Sequence, residues 1–334
     1  EYLIPMQKLT SEHGWSSYEA VVNKSEHIEQ TDYLFKMVLE DDSCWLGSAG
    51  LEQHMPRNIH MFRYCHDRRL PSWTASQVFY QVFPERFANG DKSLSVQPGE
   101  YRYLDRADIV VKEWGDAPEH ATGGFEFFGG DLVGVKQQLS YLNDTLGVTA
   151  LYLNPVFTSQ SSHKYDTVDY YNVDPHFGGN EALVNLIQDA HTRDMKVVLD
   201  AVINHTSVKH PWFQSAISGS EIDQARYVFD KEEYVSWKDH RSLPTLDYSN
   251  PTVLQEMITA EDSVIRHWLK PPFSIDGWRM DVIHMLGEGE GAKNNEQYLR
   301  ILRDVIKEEN PEALLLGEHF FEATSWLQGD QEDC

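Results

Sequence analysis

The sequence predicts an α/β fold in which parallel strands alternate with the helices that cover them. From Gln77 onward short apolar runs recur, and the segments between them show the apolar period of helices. The apolar runs are continuous instead of alternating with polar residues, as in strands that are buried on both faces. Repetition of strand and helix in this way is typical of a parallel sheet between layers of helices.

Five apolar runs are the predicted strands of this sheet. They are VFYQVFP (78–84), VTALYLNP (148–155), MKVVLDAVINH (195–205), DGWRMDV (276–282) and ALLLGEH (313–319). The segment before the second run places Val135, Leu139, Leu142 and Leu146 on one stripe of a helix. A helical period also precedes the last run, in QYLRILRDVIKEE (297–309).

A series of parallel strands can form an open doubly wound sheet or a closed barrel. The open nucleotide-binding form carries a glycine-rich phosphate loop after its first strand. The segment EFFGGDLVGVK (126–136) contains glycines but not the G-x-G-x-x-G spacing. The sequence therefore favours a (β/α) barrel, in which active sites form at the carboxyl ends of the strands.

Two segments lie outside the repeat of strand and helix. Residues 1–70 contain short alternating stretches such as YEAVV (18–22) and YLFKMVL (33–39), which predict a small N-terminal β domain. The barrel is then expected over residues 71–334. Residues 205–250 are polar and aromatic without a clear period, and this length predicts an inserted subdomain after the third strand.

Composition excludes several classes of partner. The chain has 28 Lys and Arg against 53 Asp and Glu, and its net charge of -25 repels nucleic acid and anionic membranes. It contains no apolar run of about 18 residues, so we expect no membrane partner. Cys44, Cys65 and Cys334 are too scattered for a disulfide framework or a zinc site. Reduced thiols and a cytoplasmic location are therefore predicted.

Polar residues stand at the carboxyl ends of the last three predicted strands. They are Asp200, Asn204 and His205 on the third, Arg279 and Asp281 on the fourth, and Glu318 and His319 on the fifth. Arg279 and Asp281 are two apart and share a face, so both are expected to point into the barrel mouth. Trp278 and Met280 then face the helices. Neighbouring strands lie ~4.8 Å apart, which brings the carboxyl groups of Asp281 and Glu318 within roughly 5–7 Å.

Two carboxyl groups about 5–5.5 Å apart suit retaining glycoside hydrolysis. We expect Arg279 to lower the pKa of Asp281 and to keep it ionised as a nucleophile. Glu318 follows LLLG without a charged partner on its own strand, so an apolar setting is expected to keep it protonated as the acid. The alternative is that Arg279 and Asp281 form a buried ion pair that only braces the barrel.

The segment HKYDTVDYYNVDPHFGG (163–179) follows the second strand at the same end of the barrel. Its aromatic and histidine side chains are His163, Tyr165, Tyr170, Tyr171 and His176. Flat rings stack well on sugar faces, although such rings equally anchor loops to a core. His205 and His284 likewise have two possible roles, a structural hydrogen bond or a contact at the site.

Three motifs in this order resemble signature regions of the α-amylase family of glycoside hydrolases. They are DAVINH (200–205), GWRMDVIH (277–284) and GEH (317–319). The resemblance also covers YQVFPERFANGD, GGDLVGV and LGVTALYLNPVF. Within the family, SLPTLDY (242–248) resembles a motif of the neopullulanase and cyclomaltodextrinase group, and EDSVIRHWLK (261–270) is similar to bacterial maltodextrin glucosidases. The resemblance implies a (β/α)8 barrel that hydrolyses α-1,4-glucosidic bonds of maltodextrins through a covalent glucosyl-aspartate.

The resemblance assigns roles position by position. It matches Asp281 to the nucleophile, Glu318 to the acid and base, Arg279 to the residue that orients the nucleophile, Tyr165 to the platform under the sugar, and His205 to a donor on that sugar. It matches Asp200 and Asn204 to supports of the site, and His284 to a contact on the leaving-group side. His163, close to Tyr165, is taken as a further substrate contact.

Two departures from the family pattern bear on this interpretation. The third catalytic carboxylate of the family has no counterpart before Cys334, and we expect it, with strands six to eight, in a continuation of the chain. Asn89, Asp91 and Asp131 match part of a calcium site of some relatives, but residues 92–95 add no further side-chain carboxylate or amide oxygens toward the ~6–8 that calcium needs. The sequence thus predicts no cofactor and supports calcium poorly.

Alternatives within and outside the enzyme class stay open. The nearest is neopullulanase or cyclomaltodextrinase activity, and a second is a carbohydrate-binding relative without catalysis. The resemblance further implies an α-glucan oligosaccharide as partner, and an N-terminal β domain that shapes the site or a homodimer.

Overall fold

The computed structural model describes residues 3–22, 30–40, 42–65, 70–100, 102–104, 109–119, 123–231, 233–289, 292 and 294–334. The chain forms two compact units, Glu1–Arg68 and Arg69–Cys334. Within the described residues, no helix combines the length and apolar character that crossing a membrane requires. Cys44 carries a free thiol, whereas the side chain of Cys65 lies outside the described residues.

The first unit consists of short antiparallel strands. They are β1 (Gln7–Glu12), β2 (Trp15–Glu19), β3 (Gln30–Tyr33), β4 (Phe35–Val38), β5 (Ser43–Gly47), β6 (Gly50–Glu52) and β7 (Phe62–Cys65). β1 pairs with β2, β3 pairs with β7, and β4, β5 and β6 form a meander. The rings of Tyr33, Phe35 and Phe62 pack together with centroids 5.4, 5.7 and 5.8 Å apart.

The second unit alternates strands and helices. Its strands are β8 (Phe79–Val82), β9 (Val110–Val111), β10 (Glu126–Phe127), β11 (Ala150–Leu153), β12 (Phe157–Ser159), β13 (Thr167–Val173), β14 (Lys196–Ala201), β15 (Phe229–Asp230), β16 (Glu233–Tyr234), β17 (Gly277–Met280) and β18 (Leu314–Gly317). Its α-helices are α1 (Pro84–Phe87), α2 (Leu132–Gln137), α3 (Gly179–His191), α4 (Pro211–Ile217), α5 (Glu221–Gln224), α6 (Pro251–Leu254), α7 (Val264–Leu269) and α8 (Asn295–Glu309). Single π turns span Tyr141–Thr145 and Gln255–Thr259.

Five strands form one parallel sheet in the order β8, β11, β14, β17 and β18. Each strand of this sheet therefore lies beside the strand of the same sheet that follows it along the chain, as the sequence predicts for consecutive strand and helix units. In this register Asp200 on β14 lies opposite Arg279 on β17, which lies opposite Leu316 on β18. All five predicted strands are present, but the expectation that each is buried on both faces is wrong for β8, where Phe79 and Tyr80 are exposed.

The core between the sheet and its helices fixes the direction of β17. Trp278 is fully buried, and its indole N–H donates to the carbonyl of Ile265 on α7 at 3.2 Å. The ring of Phe157 stacks on Trp268 with centroids 4.8 Å apart and also contacts Trp278. The prediction that Trp278 faces the helices is confirmed, and the alternation of side chains turns Arg279 to the other face.

One predicted helical position is wrong. Val135, Leu139 and Leu142 are buried, but Leu146 is 45% exposed. Leu146 follows the end of the π turn, and Gly147 with φ of +73° takes the chain away from the helix axis. The apolar stripe therefore ends one turn earlier than the sequence period indicates.

The segment after β14 folds back on the end of that strand. It contains α4, α5, the small β15–β16 hairpin and a 3₁₀ turn at Trp237–Asp239. An isolated antiparallel bridge joins His205 to Thr245, and the hydroxyl of Tyr248 donates to the carbonyl of Ile203 at 2.7 Å. These contacts hold the segment beside the carboxyl end of β14.

Candidate active site

Arg279 lies at the centre of a group of carboxylates at the carboxyl ends of β14, β17 and β18. Its Nη1 donates to both oxygens of Asp200, at 2.9 and 3.0 Å, and to Oδ1 of Asp281 at 3.0 Å. Its Nη2 lies 2.7 Å from Oε1 of Glu318. The carboxylates expected to meet in the barrel mouth are therefore in contact with one guanidinium.

The contacts with Arg279 limit the separation of Asp281 and Glu318. Because each carboxyl group contacts a nitrogen of the same planar guanidinium, the contacting oxygens lie within roughly 8 Å of each other. Both carboxyl groups thus lie close together at the carboxyl ends of β17 and β18. This arrangement suits two carboxyl groups that act on opposite sides of one bond.

Burial is the largest influence on the two aspartates. It raises the pKa of Asp200 to about 6, although Arg279 and the hydroxyls of Tyr152 and Tyr165 lower it. Burial and the neighbouring Asp200 carboxylate also raise the pKa of Asp281, against the opposing effect of Arg279. The expectation that Arg279 would lower the pKa of Asp281 overall is wrong, because burial and the Asp200 carboxylate together outweigh the effect of the guanidinium.

Glu318 has polar partners on both oxygens. Oε1 forms the ion pair with Arg279, and Oε2 accepts the backbone N–H of Val282 at 2.8 Å. Val282 has a φ of +39°, a left-handed conformation that is unusual for a β-branched residue, and its N–H points at the carboxylate. The expectation of an apolar setting is therefore wrong: Glu318 has no charged partner on its own strand, as expected, but Arg279 reaches it from the neighbouring strand.

Tyr165 closes one side of this group. Its hydroxyl donates to Oδ2 of Asp200 at 3.2 Å and accepts the amide N–H of Asn154 at 3.3 Å. Its backbone N–H donates to Nδ1 of His163 at 3.1 Å, and its carbonyl oxygen lies 3.2 Å from Nε2 of His205. The sequence-predicted pair of His163 and His205 thus holds Tyr165 from both sides.

The histidines of the site are buried to different degrees. Burial lowers the pKa of His205 to about 4, so its ring is neutral at neutral pH and Nε2 donates to Tyr165. Burial also lowers the pKa of His163. His284 lies beside Glu318, with Nδ1 3.2 Å from the Glu318 carbonyl oxygen, and burial lowers its pKa as well.

All the sequence-predicted site residues belong to one connected set of contacts. They are Asp200, Asn204, Arg279, Asp281, Glu318, Tyr165, His163, His205 and His284. Three other residues of the 163–179 segment contact different parts of the chain: Tyr170 donates to the carbonyls of Val202 and His205, Tyr171 to that of Asp262, and His176 lies 2.6 Å from the carbonyl of Leu94. These three rings anchor the segment, in line with the structural alternative.

The comparison with protein families decides the class of this site. The model described as the alpha amylase catalytic domain matches residues 81–334. The chain belongs to the α-amylase family of glycoside hydrolases. The matched residues include every strand of the five-stranded sheet except the start of β8.

Relatives within the α-amylase family match most of this chain. A cyclomaltodextrinase of Thermoanaerobacter pseudethanolicus is 34% identical over 321 residues, which covers 90% of this chain and 50% of that protein. Neopullulanase 2 of Thermoactinomyces vulgaris is 32% identical over 342 residues, which covers 98% of this chain and 53% of that protein. The chain therefore spans about half the length of these relatives.

Solved structures agree on the fold of this α-amylase family member. A structure described as cyclomaltodextrinase matches with a TM-score of 0.70 and 30% identity, and the match covers 99% of this chain and 54% of that chain. This likeness supports the (β/α)8 barrel, to which the described residues contribute the five-stranded sheet.

Sequence reasoning missed Tyr152 on β11. Its hydroxyl donates to Oδ2 of Asp200 at 2.6 Å, the same oxygen that accepts from Tyr165. The signal was present in the strand, because Tyr152 alternates with the fully buried Leu151 and Leu153 and so turns to the opposite face. Trp237 was also missed, and its ring lies 6.1 Å from that of His205.

The residues that match part of a calcium site in other α-amylase family members are engaged in hydrogen bonds. The carboxylate of Asp131 accepts the backbone N–H groups of Gly90, Asp91 and Gly134, and thereby caps α2. The amide of Asn89 donates to Ser95 at 2.9 Å. Among the described residues, no group of three or more His, Cys, Asp or Glu is arranged to hold a metal ion.

Proposed function

We propose that this chain carries the catalytic centre of a retaining hydrolase that cleaves α-1,4-glucosidic bonds of short maltodextrins, in the manner of a maltodextrin glucosidase. The observation that supports the proposal is the contact of one guanidinium, that of Arg279, with both Asp281 and Glu318. In this proposal Asp281 is the nucleophile and Glu318 is first the acid and then the base.

The reaction proceeds in two displacements. The carboxylate of Asp281 attacks the anomeric carbon while Glu318 gives its proton to the glycosidic oxygen, so the C–O bond breaks and a glucosyl-aspartate forms. Glu318, now ionised, takes a proton from water as the water oxygen attacks the same carbon. The ester bond breaks, Asp281 is released as a carboxylate, and glucose leaves with retained configuration.

The remaining site residues bind the sugar in this proposal. The ring of Tyr165 forms the platform under the sugar. His163 and His205 hold this ring through the backbone N–H and carbonyl of Tyr165, and the ring nitrogens of both histidines have partners within the protein. Asp200 holds Arg279 and Tyr165 in place. His284, beside Glu318, contacts the leaving-group side.

The test is the loss of turnover in variants of the full-length protein. Glu318→Gln and Asp281→Asn should each reduce the hydrolysis of maltotriose on the order of 10³-fold or more. In Glu318→Gln, an activated α-glucosyl fluoride should also leave a glucosyl group on the peptide that contains Asp281, detected by mass spectrometry. Glu308→Gln is the matched control, because Glu308 is 70% exposed in its ion pair with Arg266. Ordinary turnover by Glu318→Gln would refute the proposal.

The names of the relatives favour a second candidate, a cyclomaltodextrinase or neopullulanase. Products formed from maltotriose, a cyclodextrin and pullulan separate the two candidates, because a maltodextrin glucosidase releases glucose and prefers the short linear substrate. Maltotriose binding without glucose release would instead indicate a carbohydrate-binding relative. The homodimer and the cytoplasmic location inferred from the sequence stay predictions.

A further inference from the structure

The loop that carries Tyr165 contains a buried pair of opposite charges. This loop joins β12 to β13, and Nζ of Lys164 lies 2.7 Å from Oδ2 of Asp174. The side chains of Lys164 and Asp174 are only 1% and 2% exposed. Burial of charge costs free energy, and an apolar pair of similar volume is often as stable. A gain in stability therefore does not explain why a buried ion pair is present at this position.

The pair connects both ends of the hairpin formed by β12 and β13. Nζ of Lys164 also donates to the carbonyl of Ser159, the last residue of β12, at 3.0 Å. Oδ2 of Asp174, which follows β13, accepts the backbone N–H of Ser159 at 3.1 Å. Oδ1 of Asp174 accepts the N–H of His176 at 2.9 Å and so begins the next turn. One lysine thus ties the loop to the two strands that support it.

The backbone at Lys164 separates two neighbouring side chains. Lys164 has a φ of +64°, a left-handed conformation that non-glycine residues adopt infrequently, and its N–H donates to Oγ of Ser161 at 2.9 Å. Its side chain enters the buried pair with Asp174. The next side chain, that of Tyr165, reaches Asp200 at the candidate active site with its hydroxyl at 3.2 Å.

The position of the Tyr165 ring depends on this backbone. The loop from His163 to Tyr165 contacts the site through the Tyr165 N–H and carbonyl, which bind His163 and His205. A shift of this loop by ~1 Å would move the ring relative to a bound sugar, and misplacement of that size costs on the order of 10²-fold in rate.

We propose that Lys164 is a positioning residue for Tyr165. Its ion pair with Asp174 holds the loop in the conformation that places the Tyr165 ring beside Asp200 and under the bound sugar. Lys164 does not touch the substrate and acts through the backbone of the loop. The inference rests on the proposed function, because it takes Tyr165 as the platform of the sugar.

A double-mutant cycle in the full-length protein tests this coupling. Lys164→Met and Tyr165→Ala are each expected to lower kcat/KM for maltotriose, Lys164→Met on the order of 10-fold to 100-fold. In the Tyr165→Ala background, Lys164→Met should cause almost no further loss of kcat/KM, while its effect on Tm remains. An undiminished loss in that background would overturn the positioning role. If Tyr165→Ala alone leaves kcat/KM unchanged, the assigned role of Tyr165 fails, and the inference fails with it.

Lys164→Met leaves the charge of Asp174 buried without its partner, and a second variant is needed in case this protein does not fold. Lys164→Met with Asp174→Asn removes both charges, so Tm should rise above that of Lys164→Met while kcat/KM stays low. Recovery of kcat/KM together with Tm would show that the pair is merely structural. Lys196→Met is the matched control. Lys196 is the first residue of β14, and this substitution breaks its ion pair with Asp276. It should lower Tm without changing kcat/KM.

Discussion

Nη2 of Arg279 lies 2.7 Å from Oε1 of Glu318, across the boundary between two neighbouring strands. The same guanidinium contacts Asp281 through Nη1. In the proposed reaction the first displacement converts Asp281 from a carboxylate to a neutral ester and leaves Glu318 ionised. The negative charge therefore moves from one partner of Arg279 to the other, and the cation keeps a direct contact with it throughout.

Replacement of Arg279 should abolish this double contact. In Arg279→Lys a single ammonium replaces the planar fork and cannot reach Asp200, Asp281 and Glu318 together, so kcat for maltotriose should fall on the order of 10²-fold or more. Steady-state kinetics of the full-length variant measure the loss. Arg300→Lys is the control, because Arg300 pairs with Glu296 and Asp330 away from the site. An unchanged kcat in Arg279→Lys would contradict the role of the guanidinium.

Tyr152 is expected to tune the acid side of the pH profile. Its hydroxyl donates to Asp200 and lowers the pKa of that carboxyl, which burial raises to about 6. Tyr152→Phe removes this donor, so the pKa of Asp200 should rise further and the acid limb of the kcat profile should move to higher pH. Rates measured across the acid range test the shift. Tyr298→Phe, which removes a hydrogen bond to Glu288, should leave the limb in place.

The strands could be predicted because their apolar runs are continuous, and β14 and β17 are buried on both faces, whereas β8 is exposed over most of its length. Their continuous apolar runs separate them from the helices, whose apolar residues recur with a different period. The end of the first helical stripe at Leu146 could not be predicted, since the turn at Gly147 competes with the period. Whether an apolar residue near a helix end is buried depends on where such a turn ends the helix.

The site residues were found because polar side chains follow apolar strands, and their identity matches family motifs. The charged contacts that set the pKa values of these residues were not predicted. Arg279 contacts Asp200 and Glu318 on the two strands beside its own, and such cross-strand contacts depend on the register. Reasoning along one strand at a time cannot supply that register.

Asp276 should contribute stability without a part in catalysis. Asp276 directly precedes β17, and its carboxylate accepts hydrogen bonds from His191 at 2.7 Å, the N–H of Val197 at 2.9 Å and Lys196 at 2.9 Å. Burial alone would raise the pKa of Asp276, but these hydrogen bonds lower it below its ordinary value. Its contribution is therefore present at neutral pH and is lost as the pH falls through the lowered pKa.

Asp276→Asn should lower the free energy of unfolding by about 2–4 kcal/mol and leave kcat unchanged. Denaturant titration and steady-state kinetics of the same preparation measure the two quantities. Asp304→Asn, at an exposed position of α8, is the control and should change neither. A lower kcat in Asp276→Asn under conditions where the variant is fully folded would contradict a role of Asp276 in stability alone.

His210 should make the fold sensitive to acid. It is buried, its Nδ1 accepts the N–H of Trp212 at 3.2 Å, and it thereby caps α4. Burial lowers the pKa of His210 to about 4 in the folded state, below the ordinary value of 6.5. As the pH falls from about 6.5 to about 4, the unfolded chain takes up a proton that the folded chain refuses, so stability is lost over this range.

The loss from His210 alone is on the order of 3 kcal/mol across that range. His210→Asn keeps an acceptor for the cap and cannot be protonated, so its free energy of unfolding should fall less steeply toward acid than that of the parent protein. Asp200, with its raised pKa, acts in the opposite direction, and the comparison of variant with parent cancels its contribution. The exposed His54→Asn serves as control. Parallel slopes for His210→Asn and the parent, measured by denaturant titration at several pH values, would show that His210 is protonated in the folded state.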